Sequence, residues 1–163
     1  MDAPHTVKYR HVTWADVDAS VARLGQRIRA DGFKPDCVLS LLKGGMVPAR
    51  LLSDFFGAIE VLPLLVRSYD GTRKTGEIHI GPFPYSVKNR SVLIADDIHD
   101  SGDTLMTVRR MILEQGARSV RTATLHYKGR ALCPPDYSDV TVTPDEWVVF
   151  PWERYELKDV VGR

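Results

Sequence analysis

The stretch from Val92 to Leu105 combines two adjacent carboxylates with a small polar loop. Asp96 and Asp97 follow a short apolar run, and Ser101–Thr104 lie just before residues with helical periodicity. Carboxylates suit vicinal sugar hydroxyls and a divalent cation. A Gly/Ser/Thr loop at a helix N-terminus suits a phosphate, because free backbone N–H groups and the helix dipole favour an anion there. These residues predict a ligand that is both a sugar and a phosphate.

Each of these groups also has a simpler interpretation. Asp96 and Asp97 could end a solvated strand or cap a helix, and adjacent strand residues point to opposite faces. In a glycosidase the two catalytic carboxylates face each other across the bond that is cleaved, and two adjacent residues fit that arrangement poorly. Ser101–Thr104 could be a plain strand-to-helix turn, while the P-loop and Rossmann glycine patterns are absent from this segment. The loop follows the carboxylates at once, which favours the sugar phosphate.

The overall composition is that of an ordinary globular domain. The 163 residues are enough for one domain with a core, and 44% of them are hydrophobic. A net charge of +1 gives no reason to expect nucleic acid, and no apolar run is long enough to span a bilayer. Cys37 and Cys133 lie far apart, and the N-terminal residues do not resemble a signal peptide. We therefore expect no membrane or nucleic-acid partner and a reducing, cytoplasmic location.

Strands and helices alternate along the sequence. Apolar spacing predicts a helix from Thr13 to Gly32, a second over Val47–Phe56 and a third from Leu105 to Gly116. Short apolar runs predict buried strands at Cys37–Leu42, Ile59–Val66, Val92–Ala95 and Val120–Leu125, with a last run at Trp147–Phe150. This order favours an α/β fold with a parallel, doubly wound sheet. Ligands of such sheets bind at the carboxyl ends of the strands, where we place Lys43, Asp96, Lys128 and the residues after Trp147.

A long polar segment interrupts this alternation at about residues 67–90. It has no helical period and contains Gly71, Gly76 and Gly81-Pro82. Loops of this length inside a domain are usually functional or disordered. We interpret the segment as a flexible flap or a loose hairpin.

Several of these motifs resemble those of type I phosphoribosyltransferases. The run Ile94–Leu105 resembles the phosphoribosyl pyrophosphate (PRPP) motif of that family, and Leu39–Arg50 resembles its pyrophosphate loop with the helix behind it. Ser68-Tyr69-Asp70 resembles the start of its flexible hood. Lys128 resembles the lysine that 6-oxopurine enzymes direct at the exocyclic oxygen, and Trp147–Glu153 resembles the C-terminal hood of the xanthine–guanine type.

The resemblance covers roughly residues 36–156 and implies the type I phosphoribosyltransferase fold. That fold is a central, mostly parallel sheet flanked by helices, here in a single domain over residues 1–163. A small hood of N- and C-terminal segments, the latter at about 128–163, would accompany the flap. The implied reaction belongs to purine salvage. It transfers the 5-phosphoribosyl group of PRPP to N9 of guanine, xanthine or hypoxanthine, releasing pyrophosphate and a nucleoside monophosphate. Mg²⁺ is the implied cofactor, and a homodimer or homotetramer is the implied assembly.

The resemblance also implies roles for individual residues. Asp96 and Asp97 would hold the ribose hydroxyls, directly or through Mg²⁺, and Glu153 stands where relatives carry an aspartate near the metal. The 5-phosphate would be bound by Asp100, Ser101, Gly102, Asp103 and Thr104. The pyrophosphate would be bound by Leu42, Lys43, Gly44, Arg73 and Lys74. The purine would be bound by Lys128, Trp147 and Val148.

Asp100 distinguishes the classes of base within this resemblance. Adenine and orotate enzymes carry a small or hydroxyl residue at this position, whereas the carboxylate of 6-oxopurine enzymes meets purine N7 and shares its proton, which makes Asp100 the implied catalytic residue. A helix N-cap is a rival role for Asp100, and packing is a rival role for Trp147. Asp103 is expected to point away from the phosphate. The peptide before Lys43 is often cis in relatives.

Two other functions stay open from the sequence. One is a regulatory protein of the same fold that binds PRPP or a nucleotide without catalysis. The other is a phosphoribosyltransferase for adenine or a pyrimidine, which Asp100 and Lys128 both oppose.

Overall fold

A six-stranded sheet forms the centre of the computed structural model, which describes residues 8–68, 78–129 and 133–156. The elements in chain order are β1 (Lys8–His11), α1 (Trp14–Ala30), β2 (Cys37–Leu42), α2 (Met46–Phe55), β3 (Glu60–Ser68), β4 (Ile78–Ile80), β5 (Ser91–His99), α3 (Asp103–Glu114), β6 (Ser119–Tyr127), β7 (Tyr137–Thr141) and β8 (Glu146–Val149). The strand order is β4-β3-β2-β5-β6-β7. Only the β3–β4 pair among these is antiparallel, so the predicted mostly parallel α/β sheet is confirmed.

The first helix begins and ends where its sequence predicts. The Thr13 side chain accepts a hydrogen bond from Asp16 N, and the Asp16 carboxylate accepts one from Thr13 N, which makes a capping box. Val17, Leu24 and Ile28 recur on one face and are buried. The chain leaves the helix through Gly32, whose φ of +77° suits glycine. The capping box and the apolar stripe thus fix α1 against the sheet.

Apolar clusters cover both faces of the sheet. Alternate residues of β5 divide between them: Leu93 and Ala95 pack with α1 and α2, whereas Val92 and Ile94 pack with α3. Side chains of this kind contribute roughly 1.5–3 kcal/mol each when fully buried. The two clusters therefore hold the carboxyl ends of β2 and β5 beside each other.

The central strand is longer than its apolar run suggests. The sequence predicts Val92–Ala95, but β5 continues to His99, because its backbone pairs with β6 as far as His99 opposite Tyr127. Asp96 and Asp97 consequently lie within the strand. The polar sequences of β1 and β7 concealed both strands, since apolar periodicity was the signal.

Part of the polar segment at 67–90 packs against the central sheet. Arg67 continues β3 and pairs with His79 of β4, so the hairpin interpretation holds at this end. Val87 is buried, and Gly81 N donates to Leu65 O over 2.8 Å. Residues 78–90 therefore contact the core in this structure, and a flexible flap stays a prediction. Residues 69–77 lie outside the described part of the chain.

A second, two-stranded sheet joins the two ends of the described chain. Strands β1 and β8 pair in parallel, with Tyr9 opposite Trp147. These are the segments from which we expect the hood, and closure of a hood stays a prediction. Among the described residues, no helix is long and apolar enough to cross a membrane.

Candidate active site

A cavity of about 300 Å³ opens at the carboxyl ends of β2 and β5. Parallel sheets bind ligands at this edge. Its lining includes residues from the loop after β2, from the end of β5, from the start of α3 and from the segment after β8. The lining residues are Leu41, Leu42, Lys43, Gly44, Val66, Asp96, Asp97, Thr104, Trp152, Glu153 and Glu156.

Asp96 and Asp97 present neighbouring carboxylates to this cavity. Burial raises the pKa of both side chains, and the negative charge of Asp97 adds to the rise at Asp96. The N–H of Ile98 donates to Asp97 Oδ1 over 2.7 Å and partly offsets the rise at Asp97. Two carboxylates in such surroundings are suited to a divalent cation or to the hydroxyls of a sugar.

The loop after β2 packs directly against Asp97. A Cβ atom at Gly44 would lie 2.5 Å from both carboxylate oxygens of Asp97, and one at Gly45 would lie 2.3 Å from Ala95 O. Only glycine lets the chain approach β5 so closely. The Leu42–Lys43 peptide is cis, as expected from the resemblance. The helix α2 then begins at Met46, with no side-chain cap on Gly45.

A glycine turn connects β5 to α3 at the predicted phosphate site. Gly102, and not Asp100, is the N-cap of α3, with a φ of +96° and no side-chain capping hydrogen bond of its own. The free N–H groups of the first turn are thus available to an anion. The N-cap role considered for Asp100 is therefore wrong. Asp103 is exposed in the first turn, where its carboxylate is favourable to the helix dipole.

Asp100 and Lys128 meet where β5 and β6 end. Lys128 Nζ lies 3.5 Å from Asp100 Oδ2, and Lys128 N donates to His99 O over 2.9 Å. The Lys128 side chain is 14% exposed, which is low for a lysine, whereas the Asp100 side chain is 41% exposed, so water reaches the pair from the Asp100 side. A carboxylate and an ammonium group beside an anion-binding turn can together recognise a base with both a ring nitrogen and an exocyclic oxygen.

Trp147 and Val148 lie on β8, in the two-stranded sheet. Trp147 is 50% exposed, so its side chain is not part of the core, and stacking on a flat ligand stays a prediction. Val148 is buried, and its backbone runs alongside Arg10 of β1. Neither residue lines the cavity at Asp97.

Comparison with known proteins assigns this arrangement to a family. Residues 13–158 match the phosphoribosyl transferase domain. The chain belongs to the phosphoribosyltransferase family. It is 28% identical over 157 residues to a xanthine-guanine phosphoribosyltransferase of Gluconobacter oxydans, which is 94% of this chain and 90% of that protein. It is 33% identical over 145 residues to a hypoxanthine-guanine phosphoribosyltransferase of Streptococcus pneumoniae, which is 85% of this chain and 80% of that protein.

A solved structure has the same fold. The purine phosphoribosyltransferase from Pyrococcus horikoshii Ot3 superposes with a TM-score of 0.78 at 31% identity, over 88% of this chain and 93% of that chain. The type I phosphoribosyltransferase fold expected from the motifs is therefore confirmed.

The structure brings much of the predicted transferase site together. Of the predicted residues, the cavity collects Leu42, Lys43, Gly44, Asp96, Asp97, Thr104 and Glu153. Asp100, Ser101, Gly102 and Asp103 form the adjoining turn, next to Lys128. Arg73 and Lys74 lie outside the described residues. The roles of all these residues stay predictions.

The segment after β8 contributes the predicted Glu153 and two further residues, Trp152 and Glu156. Glu153 Oε2 accepts a hydrogen bond from Phe150 N over 2.9 Å. Burial raises the pKa of Glu153, and the charges of Asp97 and Glu156 add to the rise. Trp152 lines the same cavity, and its side chain interacts with Asp97 and partly offsets the rise in the pKa of that carboxyl. Trp152 was identifiable as the neighbour of Glu153, but no sequence signal marks Glu156.

Proposed function

We propose that this phosphoribosyltransferase transfers the 5-phosphoribosyl group of PRPP to N9 of a 6-oxopurine in purine salvage. The products are a purine nucleoside monophosphate and pyrophosphate. The observation that carries the proposal is the pair of Asp100 and Lys128 beside the glycine turn of α3. The names of the relatives from G. oxydans and S. pneumoniae support a 6-oxopurine as the acceptor.

The reaction divides the site into a sugar-phosphate part and a base part. The N–H groups at the start of α3 would hold the 5-phosphate, and Lys43 with the glycine loop would hold the pyrophosphate. Asp100 would take or share the proton of purine N7, while Lys128 would donate to the exocyclic oxygen. Trp147 would cover the face of the base. N9 would then attack the ribose C1 as pyrophosphate departs, and most of the rate enhancement would come from positioning and charge stabilisation.

Mg²⁺ dependence is part of the proposal. Burial makes both Asp96 and Asp97 harder to ionise, and the charge of Asp97 adds to this penalty at Asp96; a divalent cation would remove it. Among the described residues, no group of three or more His, Cys, Asp or Glu side chains is arranged as a metal site. Mg²⁺ usually combines one or two carboxylates with substrate phosphates. Asp96 and Asp97 would therefore supply the carboxylates for a cation whose other ligands come from PRPP, with Glu153 as the third predicted residue beside them.

A cytoplasmic location and a homodimer or homotetramer complete the proposal. Cys37 and Cys133 are both free, as in a reducing compartment. Exposed apolar side chains at Met46 and Leu65 leave surface that a second copy could cover. Light scattering on the purified protein would measure its mass in solution.

Pyrophosphate release tests the proposed reaction. The purified protein is mixed with PRPP, Mg²⁺ and one nucleobase at a time. Release is expected with guanine, xanthine or hypoxanthine, and chelation of Mg²⁺ is expected to stop it. The absence of release with every base would contradict the proposed enzyme activity, while release that survives chelation would contradict only the metal requirement.

A further inference from the structure

Glu156 contacts Lys43 in the lining of the candidate active site. Glu156 Oε1 lies 2.5 Å from Lys43 Nζ, and both residues line the cavity. Lys43 is the only cationic side chain among the described residues that line it. The partner of Lys43 therefore determines whether an incoming anion finds an unpaired positive charge.

Two consecutive turns bring Glu156 to this place. Glu153 N donates to Phe150 O over 3.0 Å, and Glu156 N donates to Glu153 O over 2.9 Å. Phe150 is fully buried and stacks on Trp152 with ring centroids 4.8 Å apart. The backbone that carries Glu156 is thus tied to the core.

The lining carries more negative than positive charge. Asp96, Asp97 and Glu153 face the same space as Glu156, and the charges of Asp97 and Glu156 both act on Glu153. A diphosphate that enters must exchange places with the Glu156 carboxylate at Lys43. It can do so because it brings several negatively charged oxygens, and a cation that it carries would be attracted by the remaining carboxylates.

We propose that Glu156 is a positioning residue that holds Lys43 over the cavity and competes with the diphosphate group for it. The proposal rests on the proposed function, since it concerns the diphosphate of PRPP and the pyrophosphate product. The apparent affinity for the diphosphate is reduced to the fraction of molecules in which Lys43 is not paired with Glu156. The side chains of Lys43 and Glu156 are 75% and 59% exposed, so the effect is moderate. We expect about a two- to fivefold change.

Calorimetric binding measurements on the full chain test this competition. E156Q is expected to bind PRPP and pyrophosphate, each with Mg²⁺, about two- to fivefold more tightly than the native protein. Binding of GMP should not change, because GMP has a 5-phosphate and a base but no diphosphate. E60Q is the matched control. Glu60 forms an ion pair with Arg90 at an N–O distance of 2.7 Å, and neither residue lines the cavity. E60Q makes the same change in charge and should leave all three affinities unaltered.

The K43M background separates competition from simple repulsion. If Glu156 acts through Lys43, E156Q will have little effect on PRPP binding once Lys43 is gone. The same gain with and without Lys43, or an equal gain for GMP, would overturn the inference, as would equal PRPP binding by E156Q and the native protein. Those results would leave the proposed function intact. Failure of the native protein to bind either PRPP or GMP would instead contradict the proposed function, and the inference with it.

Discussion

Substitution of Gly44 by alanine probes how closely the pyrophosphate loop approaches Asp97. The new methyl carbon would lie 2.5 Å from both Asp97 carboxylate oxygens, whereas ordinary contacts begin near 3.4 Å. The carboxylate must therefore move by roughly 1 Å, and it is held by the N–H of Ile98 over 2.7 Å. Displacements of about this size cost on the order of 10²-fold in rate. We expect G44A to lose about that factor in kcat/KM for PRPP.

The assay compares G44A with a glycine variant outside the site. Gly44 does not have a positive φ, so its backbone accepts alanine and the variant should fold. At Gly57 a methyl group meets nothing within 4 Å, but φ is +91°, so G57A should lose about 1 kcal/mol of stability and keep its kcat/KM. Steady-state kinetics and denaturant unfolding measure the two effects separately. An unchanged kcat/KM in a folded G44A would refute the close contact of Gly44 with a working Asp97.

Three further variants test the base site and the core. Asp100→Ala should lower turnover by about 10²–10⁴-fold with a much smaller effect on PRPP affinity, as steady-state kinetics would measure; equal losses would make Asp100 structural. Lys128→Ala should weaken oxopurine binding and spare PRPP, and unchanged base affinity in a titration would remove Lys128 from the site. Burial lowers the pKa of His126 from 6.5 to about 4. As the pH falls, His126 is therefore protonated in the unfolded chain at a higher pH than in the folded protein. The contribution of neutral His126 is complete above pH 6.5 and is lost as the pH falls to about 4. The loss is about 3 kcal/mol. In denaturant unfolding, the free energy of unfolding of His126→Gln should fall less between pH 6.5 and pH 4 than that of the native protein. The same pH dependence in both proteins would contradict the lowered pKa of His126.

Apolar periodicity predicted the elements that carry the site. The runs at Cys37–Leu42 and Val120–Leu125 became central strands, because parallel strands covered on both faces are apolar throughout. Strand β7 could not be found in this way. The Asp139 carboxylate accepts hydrogen bonds from Ser20 and Arg23 of α1, and the backbone carbonyl of Ser138 accepts one from Arg27. Such a strand is held by long-range polar contacts that leave no periodic signal.

The candidate site was predictable where its residues follow strands. Lys43, Asp100 and Lys128 each stand near the carboxyl end of a parallel strand, and parallel order brings those ends to one edge. Glu156 is different, because its position depends on two turns after β8 and on the stacking of Phe150 with Trp152. The outward direction expected for Asp103 is consistent with the structure. The exposure of Asp103 in the first turn of α3 accounts for an acid beside an anion site.

A competition among nucleobases tests the central claim most directly. Guanine, xanthine, hypoxanthine and adenine are supplied together at equal concentration with limiting PRPP and Mg²⁺, and the nucleotides formed are separated by chromatography. The pairing of Asp100 with Lys128 predicts that the product is a 6-oxopurine nucleotide and that AMP is not formed. AMP as the main product, or no nucleotide from any base, would contradict the account.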